Sequence, residues 1–255
     1  MKNVLCIIQA RMSSTRLPGK VLLPLGGRPV IEQVFHQLSF SKRIKKISVA
    51  TSTDRSDDEL ERWATRLKYL CYRGSLDNVL ERYYRAAQQN NADVVVRVTA
   101  DCPLIDPEVA DAVIDGFLQG TFDYYSNVNP PTFPDGLDVE VFSFAALKSA
   151  FENARLKSET EHVTPYIRNH PEMFPAGNFR NERNFESHRW TLDTREDYEF
   201  LKIIFGALSK PGQPIRWMDT IRFLERNPNV RSINEHIERN EGYKKSLKED
   251  GAQYT

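Results

Sequence analysis

Short apolar runs alternate with amphipathic stretches through the first half of the chain, and this alternation constrains the fold more than any other feature. Val4 to Ile8 is continuously apolar, as in a strand buried on both faces. Pro29 can open a helix that carries Ile31, Val34, Phe35 and Leu38 on one side. Lys46 to Ala50 reads as a second strand, and Asp57 to Leu67 as a helix with acids in its first turn. Tyr69 to Tyr72 reads as a third strand, followed by a helix from a cap at Asp77 to Gln89. Asp93 to Val98 is a fourth strand, and Pro107 starts another helix. The spacing predicts an α/β fold with a mostly parallel central sheet and flanking helices.

The rhythm breaks near residue 120. Tyr124-Tyr125, the loop Asn129-Pro130-Pro131 and a short strand from Leu137 to Phe142 follow. Helical patterns then occupy 144–154 and 159–169, a strand His188 to Leu192, and helices 195–208 and 217–226. The expected division is an α/β core over 1–120, a smaller inserted lobe over 121–187, a return to the core over 188–237, and a charged tail over 238–255 that frays. With 35 basic and 35 acidic residues the net charge is zero, so no general attraction to nucleic acid or membrane is expected. No run approaches membrane-spanning length. Cys6, Cys71 and Cys102 are odd in number and lack metal-ligand spacing, which suits the reduced thiols of a cytoplasmic protein.

Strand one ends in "QARMSSTRLPGK", residues 9 to 20. In open α/β sheets, ligands lie beyond the carboxyl ends of the strands. Arg11, Arg16 and Lys20 concentrate positive charge there, and Ser13, Ser14 and Thr15 add hydroxyls that allow close approach. This combination suits a polyphosphate, although such a cluster taken alone reads first as a solvated surface loop. It is not a P-loop: Ser14 stands where the earlier glycine is required, and Val21 follows Lys20. No GxGxxG follows the strand either.

The longer stretch "QARMSSTRLPGKVLLPLGGRPVIEQV" resembles the opening of the cytidylyltransferases that activate acidic sugars. These are the deoxy-manno-octulosonate and acylneuraminate cytidylyltransferases, and the closest branch is that of spore-coat polysaccharide biosynthesis. The resemblance spans residues 3 to about 205. It implies a GT-A-like nucleotide-diphosphosugar-transferase sheet, with the inserted lobe binding the acceptor and forming a homodimer contact. It implies that Gln9, Ala10, Arg11, Ser13, Ser14, Thr15, Arg16 and Lys20 cradle CTP, with Arg11 and Lys20 catalytic. "RGSLDNVLERY" places Gly74 and Ser75 beside the nucleoside, while Arg82 reads as part of a structural helix. "VTADCPLIDP" and "RWTLDTREDYEFL" place Asp101 and Asp193 as ligands of one Mg²⁺. Asp106 with Pro107 reads as a helix start, and Glu196 and Asp197 as first-turn acids.

Two weaker segments concern the acceptor. In "GLDVEVFS", Asp138 and Glu140 lie two apart and share a strand face, where they hold sugar hydroxyls or face water. "ETEHVTPYIRNHPE" resembles the acceptor side, so His162 and Arg168, with Arg189, are candidates for the sugar's carboxylate. The expected reaction joins CTP and an acidic sugar, with Mg²⁺, into a CMP-sugar and pyrophosphate. Alternatives are transfer to a sugar or alcohol phosphate, a GT-A-type glycosyltransferase, and a non-catalytic nucleotide-binding relative. Glycosyltransferases of that type place Asp-x-Asp at the equivalent strand end, whereas this chain has Ala100-Asp101-Cys102.

Overall fold

The structure is a computed structural model, and it describes residues 2–252. β1 (Val4–Gln9) leads through the basic loop to a small hairpin, β2 (Pro24–Leu25) and β3 (Arg28–Pro29). Then come α1 (Val30–Leu38), β4 (Lys46–Ser52), α2 (Asp58–Arg66), β5 (Leu70–Gly74), α3 (Val79–Gln89), β6 (Val94–Thr99) and α4 (Pro107–Gln119). The middle of the chain gives β7 (Tyr124–Ser126), β8 (Glu140–Ser143), α5 (Phe144–Asn153), α6 (Lys157–His162), α7 (Pro165–Asn169) and β9 (Ala176–Asn178). α8 (Arg195–Leu208), α9 (Trp217–Arg226), α10 (Pro228–Arg231) and α11 (Glu241–Ala252) close it. Among these described residues no helix is long and apolar enough to cross a membrane.

Seven strands form one sheet in the order β5-β4-β1-β6-β8-β7-β9. β5, β4, β1 and β6 run parallel, β8 runs antiparallel to both its neighbours, and β7 pairs parallel with β9. Leu5, Cys6, Ile7 and Ile8 are fully buried because both faces of β1 are covered. Cys6 and Ile8 face the side of α1, α2 and α4, while Leu5 and Ile7 face the side of α3 and α5. A third apolar cluster lies under α8 and α9, around Trp190, Leu192, Phe200 and Ile204. β1 and β6 stay paired out to Gln9 and Thr99, so their carboxyl ends open side by side.

Several expectations need correction. The strand expected at His188–Leu192 does not form. That segment makes a single bridge, Asp135 with Arg189, and threads between two loops: Trp190 N–H donates to the Asp135 carbonyl and Leu192 N–H to the Asp101 carbonyl. Its strand-like character reflects the burial of Arg189 to Leu192, not membership of the sheet. The strand expected over Leu137–Phe142 is confined to β8, which leaves Asp138 outside it. The helix expected over 159–169 is two, α6 and α7, broken where Val163 takes φ 73° ahead of Pro165. The cap of α3 is Asn78, whose Oδ1 accepts from Glu81 N–H at 2.8 Å, and not Asp77. The cap at Asp106 forms as expected.

Over its described residues, 238–252, the charged tail does not fray, and 253–255 lie outside the described residues. α11 docks on α6: the His162 ring meets Ser246 Oγ at 3.1 Å, Ser246 Oγ donates to Glu161 at 2.8 Å, Lys157 pairs with Glu249, and Ser158 N–H donates to Asp250.

Candidate active site

The site is built on the loop that leaves β1. Asp57, fully buried at the foot of α2, accepts from Met12 N–H at 2.7 Å and from Ser52 N–H at 3.0 Å, and so latches the loop to the end of β4. Met12 in turn accepts from Ser14 and Gly19, both at 2.9 Å, which folds the loop back on itself. Gly19 sits at φ 69°, a conformation that glycine adopts without a Cβ clash, and starts the short turn Lys20–Leu22. That turn swings Lys20 inward until the residue is 8% exposed.

Lys20 Nζ donates to Asp101 Oδ2 at 2.6 Å, to Asp193 Oδ1 at 2.8 Å and to the Leu192 carbonyl at 2.8 Å. Asp101 stands just beyond β6, and Asp193 just before α8, so three distant segments meet on one ammonium. Burial lowers the pKa of Lys20, and the two carboxylates more than offset this, so it titrates above its ordinary value. For Asp101 burial pushes upward and the lysine pulls harder, which leaves its carboxyl below the usual range. Arg16 pairs with Asp193 at 2.9 Å and also with Glu241 at the start of α11.

Arg189 holds the other side of Asp193. Its guanidinium donates to both oxygens of Asp197, at 2.9 and 3.0 Å, to Asp193 Oδ2 at 3.2 Å and to the Glu238 carbonyl at 3.2 Å, with Asp135 at 3.5 Å. Asp197 also accepts from the Asp193 and Thr194 amides at 2.9 Å. The first-turn acid of α8 is therefore the anchor of this network.

These groups border one cavity of about 560 Å³ at the carboxyl ends of β1 and β6, within the usual size of a small-ligand site. Gln9, Ala10, Arg11, Ser14, Thr15, Arg16, Lys20, Asp101, His162, Arg189 and Asp193 all line it. Ser13, Gly74 and Ser75 do not. Gly74 ends β5, and Ser75 Oγ accepts from Asn78 N–H at 3.1 Å, beside the cap of α3. Glu140 is also outside the cavity. Its carboxylate is enclosed by Arg97, by Tyr124 OH at 2.6 Å and by Thr164 Oγ1 at 2.7 Å, so it neither holds sugar hydroxyls nor faces water. Arg11 is the most open of the loop cations, with only Glu161 at 3.7 Å. Burial, with Arg97 and Arg168 nearby, lowers the His162 pKa to about 4, which leaves a neutral imidazole at pH 7.

The sequence reading missed four contributors: Asp57, Arg82, Asp135 and Glu241. Asp135 lines the cavity, and burial followed by Asp138 raises its carboxyl to about 7 against the pull of Arg239 and Arg189. Arg82 carried one legible signal, a charge beside Val79, Tyr83 and Ala86 on the apolar stripe of α3. Nothing local ties Asp57 or Glu241 to the loop after β1, because their partners there, Met12 and Arg16, lie 45 and 225 residues away.

Asp101 and Asp193 offer hard carboxylate oxygens on a partly open wall, and among the described residues no third acid, His or Cys completes a metal cluster with them. Two carboxylates suit Mg²⁺, which is commonly held by one or two acids together with substrate phosphates. The residues therefore fit the ion that the sequence resemblance implies.

Cations and carboxylates together line this cavity at the strand ends of the sheet, which suits the charged ligands of a nucleotidyltransferase. The cytidylyltransferase family model matches residues 5–219, and the chain belongs to that family. It is 34% identical to the spore coat polysaccharide biosynthesis protein SpsF of Bacillus subtilis, over 92% of this chain and 99% of that one. A cytidylyltransferase structure from Leptospira borgpetersenii superposes with a TM-score of 0.85 at 35% identity, covering 91% and 97% of the two chains. The 3-deoxy-manno-octulosonate cytidylyltransferase of Geobacter sulfurreducens is 30% identical over 44% of each chain.

Proposed function

We propose that the chain is a Mg²⁺-dependent cytidylyltransferase that joins CTP to an acidic sugar for glycan or surface polysaccharide synthesis. The observation that carries this reading is the convergence of Lys20, Asp101 and Asp193, three motif fragments far apart in the chain, on one point of the cavity wall. A hydroxyl oxygen of the sugar forms a bond to the α-phosphorus of CTP, the bond to pyrophosphate breaks, and the hydroxyl proton passes to water.

The chain's own residues position and neutralise. Arg11 and Arg16, with Ser14 and Thr15, hold the triphosphate along the loop, and Lys20 neutralises charge that builds on the α-phosphate. Asp101 and Asp193 would hold Mg²⁺, which when bound supplies charge neutralisation and acidifies a nearby hydroxyl. Arg189 fixes the rotamer of Asp193 and, with its donors committed to carboxylates, is a positioning residue and not the acceptor's partner. The membership of the family and the partial match to an octulosonate enzyme support the acidic sugar as acceptor. The homodimer implied by the resemblance is part of the same reading.

The test is mass spectrometry of the nucleotide product after incubation with CTP, Mg²⁺ and a pool of ulosonic and nonulosonic acids. A CMP-sugar with release of pyrophosphate is the expected result. Transfer from UTP or GTP but not CTP, or a product only with sugar phosphates, contradicts it.

A further inference from the structure

Three cations are buried among the described residues: Lys20, Arg82 and Arg189. Lys20 is matched by two carboxylates and Arg189 by three. Arg82 is 2% exposed and has no ion pair among the described residues. Its Nε and Nη1 have no hydrogen-bond partner. It lines the same cavity as the nucleotide loop, on the α3 side. Gln9 Oε1, on the same cavity wall, is likewise buried and without a partner.

An unmatched guanidinium removed from water destabilises the chain that carries it, so buried cations are normally paired. Here burial and then the positive charge of Arg11 lower the pKa of Arg82, and Tyr83, Asp57 and Asp77 offset this only in part. Donors held ready, dry and unsatisfied in a cleft are what an incoming anion completes. The fork of an arginine matches the two oxygens of a carboxylate or phosphate.

We propose that Arg82 anchors a second anion subsite, apart from the Lys20 cluster, that takes one carboxylate or phosphate of the substrates while Gln9 Oε1 accepts from a hydroxyl or amine of the same ligand. The identity of that ligand rests on the nucleotidyl-transfer reading; the presence of an anion site does not. The subsite also supplies what Arg189 and Glu140 lack, a polar group in the cavity that is not already committed.

The test compares wild type, Arg82→Met and Arg82→Lys by thermal unfolding and by calorimetric titration. The probes are inorganic phosphate, CTP with Mg²⁺, and 3-deoxy-manno-octulosonate. Without ligand, Arg82→Met is expected to melt at or above the wild-type temperature, because an unmatched buried charge has been removed. Its affinity for at least one probe is expected to fall tenfold or more, with only partial recovery in Arg82→Lys. Loss confined to CTP and phosphate assigns the subsite to a phosphate; loss confined to the sugar acid assigns it to the acceptor's carboxylate. Arg82-dependent phosphate binding in a protein inactive towards CTP would keep the subsite and remove the transfer reading. Three proteins that bind every probe equally overturn the proposal. So does a wild type that binds none, or an Arg82→Met that unfolds beside an Arg82→Lys that binds like wild type.

Discussion

Replacing Lys20 with Met keeps the length of the side chain and removes the ammonium that Asp101 and Asp193 share. The two carboxylate oxygens are no more than about 5.4 Å apart, the two contact lengths laid end to end. At an effective dielectric of 20 their mutual repulsion is about 3 kcal/mol once the lysine is gone. That corresponds to roughly 6–12 °C in Tm for a chain of this size. Asp101, which Lys20 now holds below the usual carboxylate range, would titrate above it. The wild-type ammonium keeps Asp101 ionised through neutral pH, whereas the variant regains stability as pH falls and Asp101 takes up a proton. Turnover is expected to drop by about 10²-fold or more, because the ammonium would also meet charge that develops during transfer. Calorimetry from pH 5 to 8, with continuous pyrophosphate release, measures both effects. A variant with wild-type turnover and a Tm within 2 °C, an allowance below the estimated shift, refutes the reasoning.

Asp101→Asn and Asp193→Asn are each expected to raise the Mg²⁺ concentration needed for half-maximal activity; a shift in only one of them breaks the shared site. Asp57→Ala strands the Met12 and Ser52 amides, which should cost about 2–4 kcal/mol and raise KM for CTP as the loop loosens, read by denaturant melts and steady-state kinetics. His162 is held at about 4 when folded, so the unfolded chain takes its proton first. Its contribution is complete above about pH 6.5 and is lost, by up to about 3 kcal/mol, as pH falls towards 4. His162→Gln should flatten that part of the stability profile, and an unchanged slope would clear His162 of the effect.

The parallel half of the sheet was legible because burial on both faces writes an unbroken apolar run, as in β1 and β6, and because each helix between strands shows an apolar stripe. Boundaries moved by a few residues, since ladders end where neighbours end. The segment 188–192 misled for a physical reason: Arg189 to Leu192 are all buried against loops, and burial alone cannot report which hydrogen bonds the backbone makes. Of the site, the loop cations and the two aspartates were recognisable as motif fragments, but nothing in the sequence joined them. Lys20 meets Asp101 and Asp193 across 81 and 173 residues. Glu140 and Arg189 drew attention as charges, yet both are saturated by partners that the sequence does not specify. The charged tail read as fraying because its partners, Lys157, Glu161 and Arg16, belong to other segments.

The central claim is that the loop after β1 and the aspartates beyond β6 and before α8 close on a single nucleotide. A crystal structure with CTP and a divalent cation tests it most directly. The account predicts triphosphate density between residues 11–20 and the Asp101–Asp193 pair, with Lys20 moved from the carboxylates onto a phosphate oxygen. Nucleotide bound elsewhere, or Lys20 still locked between the two acids with the triphosphate out of reach, would contradict it.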